Sequence, residues 1–267
     1  GPLVYSTDSF VVTPWRFPGG DIGKLAVCGT VNDVCMAGGQ PKYLSLSFII
    51  EEGFLMEDFK AIVDSIATTA QLAGVQIVTG DTKVVERGKG DGIYINTSGI
   101  GSQRAAGLSR KAIRPGDAVL VSGSVGCHGA AVLMARGEIP FAGELLSDCR
   151  PLHQLSAAAL EAGGVRILRD PTRGGVATTL NEFVEGSALT IELEEDAIPV
   201  DPAVAAACDL LGLDPLYSAC EGRMLAVVSP GQADAVLDAL HQTSGGEHAA
   251  MIGRVTESRP GHVVLRT

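Results

Sequence analysis

The stretch FKAIVDSIATTAQLAGVQIVTGDTKVV, Phe59 to Val85, decides how the chain folds. Phe59, Ile62, Val63, Ile66, Ala67, Ala70 and Ala73 recur at the three- and four-residue spacing of an amphipathic helix. Gly74 can take the left-handed conformation that ends a helix, and Val75 to Thr79 then reads as a buried strand. Tyr43 to Ile50, before the helix, reads as another strand, so the order is β-α-β. Beyond the second strand, VTGDTKVV sets Lys83 close to Asp81. A lysine there can hold phosphate, neutralise a metal-bound anion or move a proton.

On the N-terminal side, Val4 to Val12 reads as a strand interrupted by the polar cluster Ser6-Thr7-Asp8-Ser9, and it runs into the turn TPWRFPGGD. Asp21 is a candidate N-cap for a helix to about Met36, which Gly38-Gly39 and Pro41 bring to an end. Ile93, Ile95 and Thr97 alternate with polar neighbours as one more half-buried strand. The basic, non-periodic loop SQRAAGLSRKAIRP follows, and a domain boundary belongs in or just before it, dividing 1–104 from 105–267. In the second unit, strands are expected at Ala118 to Ser122, Leu189 to Leu193, Leu225 to Val228, Ala250 to Val255 and Val263 to Leu265. Helices are expected near Ala130 to Arg136, Pro151 to Ala162, Gly175 to Glu185, Asp201 to Leu211 and Gly231 to Gln242. Strands and helices mix without strict alternation, which favours an α+β class with two α/β domains over one Rossmann sheet.

At 267 residues and 46% apolar content the chain can bury a substantial core. Its 20 basic against 31 acidic residues, net −11, argue against nucleic acid, which needs clustered Lys and Arg. No apolar run approaches the ~18 residues of a membrane span, and the start has no signal-peptide pattern, so the expectation is a cytoplasmic protein without membrane contact. Gly1-Pro2 reads as a protease scar, with the natural N-terminus upstream of it. Six cysteines fall at no CxxC spacing, and Cys28 and Cys35, seven apart on one helix, read as small buried side chains.

Four acids fall where elements end: Asp8 in STDS, Asp33 in TVNDV, Asp81 in TGDT and Asp170 in RDPTRGG. Singly, each reads first as a cap or turn residue. Converging on one cleft, they would supply the oxygen ligands that Mg²⁺ needs while it carries nucleotide phosphates. Asp170-Pro171-Thr172-Arg173-Gly174-Gly175 is more specific, because two glycines before a helical run let backbone N–H groups approach an anion beside Arg173. Lys83 and Glu221, the latter in a loop before an apolar strand, are candidate proton-transfer groups, with solvated charge as the ordinary alternative. His128 in GCHG could be catalytic, but reads first as a structural histidine at a glycine-rich helix start.

Taken together, STDSF, FPGGDIGKLAVCGTVNDV, GGQPKYLS, VTGDTKVV, RDPTRGGV and EGR, in this order and over nearly the whole chain, resemble the HypE family of hydrogenase maturation factors. That family is similar to aminoimidazole ribonucleotide synthetase, selenophosphate synthetase and thiamine-phosphate kinase. The resemblance implies two α/β domains of the aminoimidazole ribonucleotide synthetase-like type, with N-terminal sheets pairing in a homodimer. It implies ATP and Mg²⁺, the metal on Asp8, Asp33, Asp81 and Asp170. It further implies nucleotide contacts from those four together with Asn32, Thr79, Gly80, Thr82, Lys83, Thr172, Arg173 and Gly174. Lys83 and Glu221 would be catalytic in an ATP-dependent dehydration of a cysteine thiocarboxamide to thiocyanate. The partners implied are the carbamoyltransferase HypF and the HypC–HypD iron scaffold.

The chain departs from the family at Cys127 and Cys220, where Asp and Asn are usual. The family's glycine-rich N-terminal segment and Pro-Arg-Ile-Cys tail are expected to lie outside this sequence. A non-catalytic ATP-binding scaffold that docks other maturation factors is the alternative reading of such a form.

Overall fold

The computed structural model describes residues 1–137 and 145–267. The N-terminal elements are β1 (Leu3–Phe10), β2 (Arg16–Phe17), β3 (Gly20–Asp21), α1 (Ile22–Met36), β4 (Gly39–Glu51), α2 (Met56–Ala73), β5 (Gln76–Val85) and β6 (Ile93–Gln103). They build a four-stranded sheet in the order β1-β6-β4-β5, and only the β4–β5 pair is parallel, joined through α2. The second set is β7 (Ala118–Val121), α3 (Cys127–Ala135), α4 (His153–Ala162), β8 (Val165–Arg169), α5 (Gly175–Val184), β9 (Thr190–Glu194), α6 (Pro202–Leu211), β10 (Leu225–Val228), α7 (Ala233–His241), β11 (Ala250–Thr256) and β12 (Val263–Arg266). Its six-stranded sheet runs β12-β9-β11-β7-β10-β8, a second α+β unit.

Asp21 opens α1 as a true N-cap, accepting from the N–H groups of Gly23 at 2.7 Å and Lys24 at 2.9 Å. The body of that helix is IGKLAVCGTVNDVCM, and nearly all of it is buried, Cys28 and Cys35 included. Its small, all-round apolar surface fits a helix covered on several sides. The four-stranded sheet and α2 pack on it from one domain, α4 and β8 from the other. The main apolar core therefore runs without a break from Leu44 and Ile62 through α1 to Leu120, Leu152 and Leu240.

Two strands differ from their sequence reading. β5 does not stop at Thr79 but continues through the whole of GDTKVV, and it is exposed along nearly its full length instead of buried. The reason is packing. α2 lays its Ile62, Ile66 and Ala70 stripe chiefly on α1, leaving the edge strand β5 with little cover, while Gly74 ends the helix at φ 67° as expected. β8 is absent from the sequence reading, because Val165-Arg-Ile-Leu-Arg169 lacks clean alternation and its place at the sheet edge leaves most of it only half-buried.

Candidate active site

The inner face of β1 and one side of α1 bring Asp8 and Asp33 together. Ser6 Oγ donates to Asp33 Oδ2 at 2.7 Å, and Asp8 lies two residues further along that face. Asp170 comes from the other domain, at the end of β8, and is buried. Two of the three acids, Asp33 and Asp170, have their proton affinity raised. Burial first, then the charge of Asp33, pushes Asp170 up to about 7. Burial first, with Asp8 adding to it and the Ser6 hydroxyl opposing it, also raises Asp33. Arg169 and Arg173 stand close enough to pull Asp33 back down.

After Asp170 the chain turns through Thr172, whose N–H donates to Asp170 O at 3.0 Å, and through Gly174 and Gly175 at φ 72° and 62°. Only glycine takes that pair of left-handed conformations readily. They open α5 with no side-chain cap and no acidic residue in its first turn. Its N-terminal N–H groups, with the exposed Arg173, form a positive end suited to phosphate.

Glu221 joins this group from the loop before β10. Its residue is half-buried but its carboxyl is enclosed, and burial raises its pKa well above the carboxylate range, with Asp170 and then Asp148 adding to the rise. The backbone of Glu221 is clamped on both sides: its N–H donates to Asp148 Oδ1 at 3.1 Å, and its carbonyl accepts from Arg150 N–H at 3.4 Å and Asn32 Nδ2 at 3.3 Å. Gly222 is required next, because a Cβ there would overlap the Asp148 carbonyl. Asp148 has no side-chain exposure and pairs with Arg223 at 3.7 Å. Asp148, Arg169 and Arg223 escaped the sequence reading. The EGR motif holds Arg223, but SDC around Asp148 carries no signal.

Asp81 and Lys83 are not brought to this group. In the β4–β5 register Asp81 stands beside Ser47 and Lys83 beside Ile49, on the face opposite the buried Leu44 and Leu46. Asp8 faces the inner side at the other edge of the sheet, so the sheet itself separates them. The two pair with each other at 3.0 Å, with side chains 72% and 61% exposed, and Lys83 with the Thr82 N–H lowers the Asp81 pKa. Thr79, Gly80 and Thr82 are likewise exposed on β5. The expected convergence of four aspartates thus fails within one chain. Among the described residues, no three His, Cys, Asp or Glu side chains are arranged to hold a metal ion.

The remaining candidates are structural. His128 bonds Ser147 Oγ at 2.9 Å and meets Phe17 edge-on at 5.2 Å, and burial pulls its pKa down to about 4. Cys220 Sγ accepts from Gly126 N–H at 3.2 Å, ahead of Cys127 at the start of α3. Burial raises both thiols, so neither is a ready nucleophile.

Residues 1–103 match the AIR synthase related protein, N-terminal domain, and residues 114–266 the C-terminal domain of the same proteins. Carbamoyl dehydratase HypE of Rhizobium leguminosarum bv. viciae is 54% identical over 258 residues, 96% of this chain and 74% of that protein. The chain belongs to the HypE family of carbamoyl dehydratases. A crystal structure of hydrogenase maturation protein HypE in complex with ATP superposes at a TM-score of 0.95 with 48% identity, covering 99% of this chain and 82% of that one. The HypE–HypF complex matches at 0.95 and 47%, over 99% and 87%. Among the described residues no helix is long and apolar enough to cross a membrane.

Proposed function

We propose that the protein uses ATP to dehydrate a thiocarboxamide on a C-terminal cysteine of its full-length chain, leaving a thiocyanate that supplies the cyano ligand of a [NiFe] hydrogenase. HypF would load the carbamoyl group and HypC–HypD would receive the cyanide, all in the cytoplasm. The observation that carries this reading is the Asp8, Asp33 and Asp170 group, set beside Glu221 and the uncapped start of α5. An amide oxygen leaves poorly until it is phosphorylated. Attack of that oxygen on the γ-phosphorus of ATP releases ADP, after which the nitrogen loses two protons and the carbon–oxygen bond breaks to expel phosphate. Glu221 takes a nitrogen proton, a role that its raised pKa suits because the carboxylate, once ionised, is a stronger base than an ordinary one. Arg173 and the α5 N-terminus offset charge on the transferred phosphoryl group.

In its chemistry the donor set suits Mg²⁺, three carboxylates offering only hard oxygen, but among the described residues they do not stand as a preformed metal cluster and would have to close on the ion and its nucleotide. Asp8, Asp33 and Asp170 would hold it with the nucleotide, where it would neutralise phosphate charge. Lys83 and Asp81 would then come from a second copy. Tyr5, Ile100 and Tyr43 form an exposed apolar row across three strands of the outer face, and β1 and β5 are both open edges. A homodimer that closes one copy's β5 against the other's β1 would cover both edges and set the GDTK segment on the strand beside the partner's β1, the strand that bears Asp8. We place the boundary between its two domains at residues 104 and 105.

Mass spectrometry tests the chemistry. Full-length protein carbamoylated by HypF should lose one water from its modified cysteine on adding ATP and Mg²⁺, whereas the Glu221→Gln protein should accumulate the thiocarboxamide. Conversion by Glu221→Gln at the wild-type rate would refute the assignment of the base.

A further inference from the structure

Asn32 is buried at 1% exposure on α1, one residue before Asp33. Its amide is fully engaged across the domain seam: Nδ2 donates to Arg150 O at 3.1 Å and Glu221 O at 3.3 Å, and Oδ1 accepts from Leu152 N–H at 2.8 Å. An asparagine has two N–H donors, so no donor is left for a nucleotide. We infer that Asn32, which the resemblance groups with the ATP contacts, is instead the residue that positions Glu221, holding the loop of one domain to the helix of the other that carries Asp33. The inference rests on the reading of Glu221 as the base.

The geometry gives this role a physical content. Consecutive residues on a helix point about 100° apart, so Asp33 turns to the carboxylate group while Asn32 turns to the Arg150–Leu152 and Glu221 segments. On its other side Glu221 is fixed by Asp148 Oδ1, and Gly222 lets Asp148 come close enough to do so. Asn32 is therefore the link through which the helix bearing a phosphate-site acid sets the height of the base. Losing it leaves the carbonyls of Arg150 and Glu221 without that donor, and the loop relaxes. A displacement of about 1 Å at a reacting group costs about 10²-fold in rate.

The test is a double-mutant cycle on the full-length protein carbamoylated by HypF. Single-turnover dehydration at saturating ATP is measured for wild type, Asn32→Ala, Glu221→Gln and the double variant, with the ATP Kd taken from calorimetry. Asn32→Ala should slow dehydration by about 10- to 100-fold, leave the ATP Kd within about threefold, and add no further loss in the Glu221→Gln background. Where Asn32→Ala does not fold, Asn32→Ser, which keeps a hydroxyl for one of the three bonds, carries the same measurements. A weakened ATP Kd with the rate restored at high ATP would make Asn32 a nucleotide ligand and overturn the inference. So would an undiminished rate, or losses that multiply in the double variant. A Glu221→Gln protein as fast as wild type would instead overturn the reading of the base on which this rests.

Discussion

Asp170→Asn isolates the electrostatic strain of the site. Burial and the neighbouring Asp33 raise the Asp170 pKa from the ordinary 3.8 to about 7. The folded protein therefore binds this proton more tightly than the unfolded chain does. Stability from that source is fully present below the unfolded pKa and is lost as pH rises between about 4 and 7. At 1.36 kcal/mol for each factor of ten in affinity, a rise of this size amounts to about 4 kcal/mol, an upper bound that side-chain relaxation reduces to about 2–4 kcal/mol. Asparagine never ionises, so the variant lacks this loss. Urea unfolding in a chelator, without nucleotide, at pH 4.5, 6 and 8 reads the effect. The part of the Glu221 shift that comes from burial is common to both proteins, while the part that the Asp170 charge adds is lost in the variant and moves the comparison in the same direction. The stability of Asp170→Asn relative to wild type should therefore climb by about 2–4 kcal/mol between pH 4.5 and pH 8. Adding Mg²⁺ and ATP at pH 8 should stabilise wild type more than the variant, because the cation supplies the missing counter-charge. A stability gap that stays constant across this pH range would refute the view that Asp170 is strained by its neighbours.

If Lys83 serves a second copy's Asp33, mixing inactive Lys83→Ala and Asp33→Asn subunits should regenerate about a quarter of the wild-type sites, since random pairing makes half of the dimers mixed and each mixed dimer has one intact site. No recovery of dehydration after mixing would place Lys83 and Asp33 in the same chain's site. Gly222→Ala should destabilise by about 1–3 kcal/mol or more, because its methyl meets the Asp148 carbonyl; a thermal midpoint within a degree of wild type would contradict the close approach. Asp81→Asn should weaken ATP binding more than Asp91→Asn, which only loses a surface contact from Thr13 at 3.2 Å; equal, small effects in calorimetry would remove Asp81 from the nucleotide site.

Local chemistry explains what could be read from the sequence. The Asp21 cap, the Gly74 stop and the Ile62, Ile66, Ala70 stripe are decided within a few residues, and all stand as read. So are Asp170 and the two glycines before α5, whose φ values are fixed by that short turn. Asp148 and Asn32 are different. Each acquires its role from the loop at Glu221, more than 70 residues away in the chain for Asp148 and, across the domain seam, nearly 190 for Asn32. No local spacing encodes such a contact. The buried reading of Val75 to Thr79 failed for a related reason: an apolar run states what a strand can cover, while the helix that would cover it leans elsewhere.

The parity of β5 is where fold and function meet. Strand side chains alternate, so one register assignment decides the face of every residue in GDTKVV. Ile77 and Val78 are both apolar and both exposed, and Val84 stands 68% exposed beyond Lys83, so the strand has no alternation from which a face could be chosen. The β4 register makes the choice, and it places Asp81 and Lys83 with Tyr43 and Ile49 on the outer face. A single chain then leaves two charged residues and a row of large apolar ones on the same open surface. Solvent suits the charges but not Tyr5, Tyr43 and Ile100, and a lone exposed ion pair adds little to stability. The pair is therefore a poor candidate for holding this domain together. A second copy on that face would bury the apolar row and bring one copy's β5, with Lys83, next to the other copy's β1.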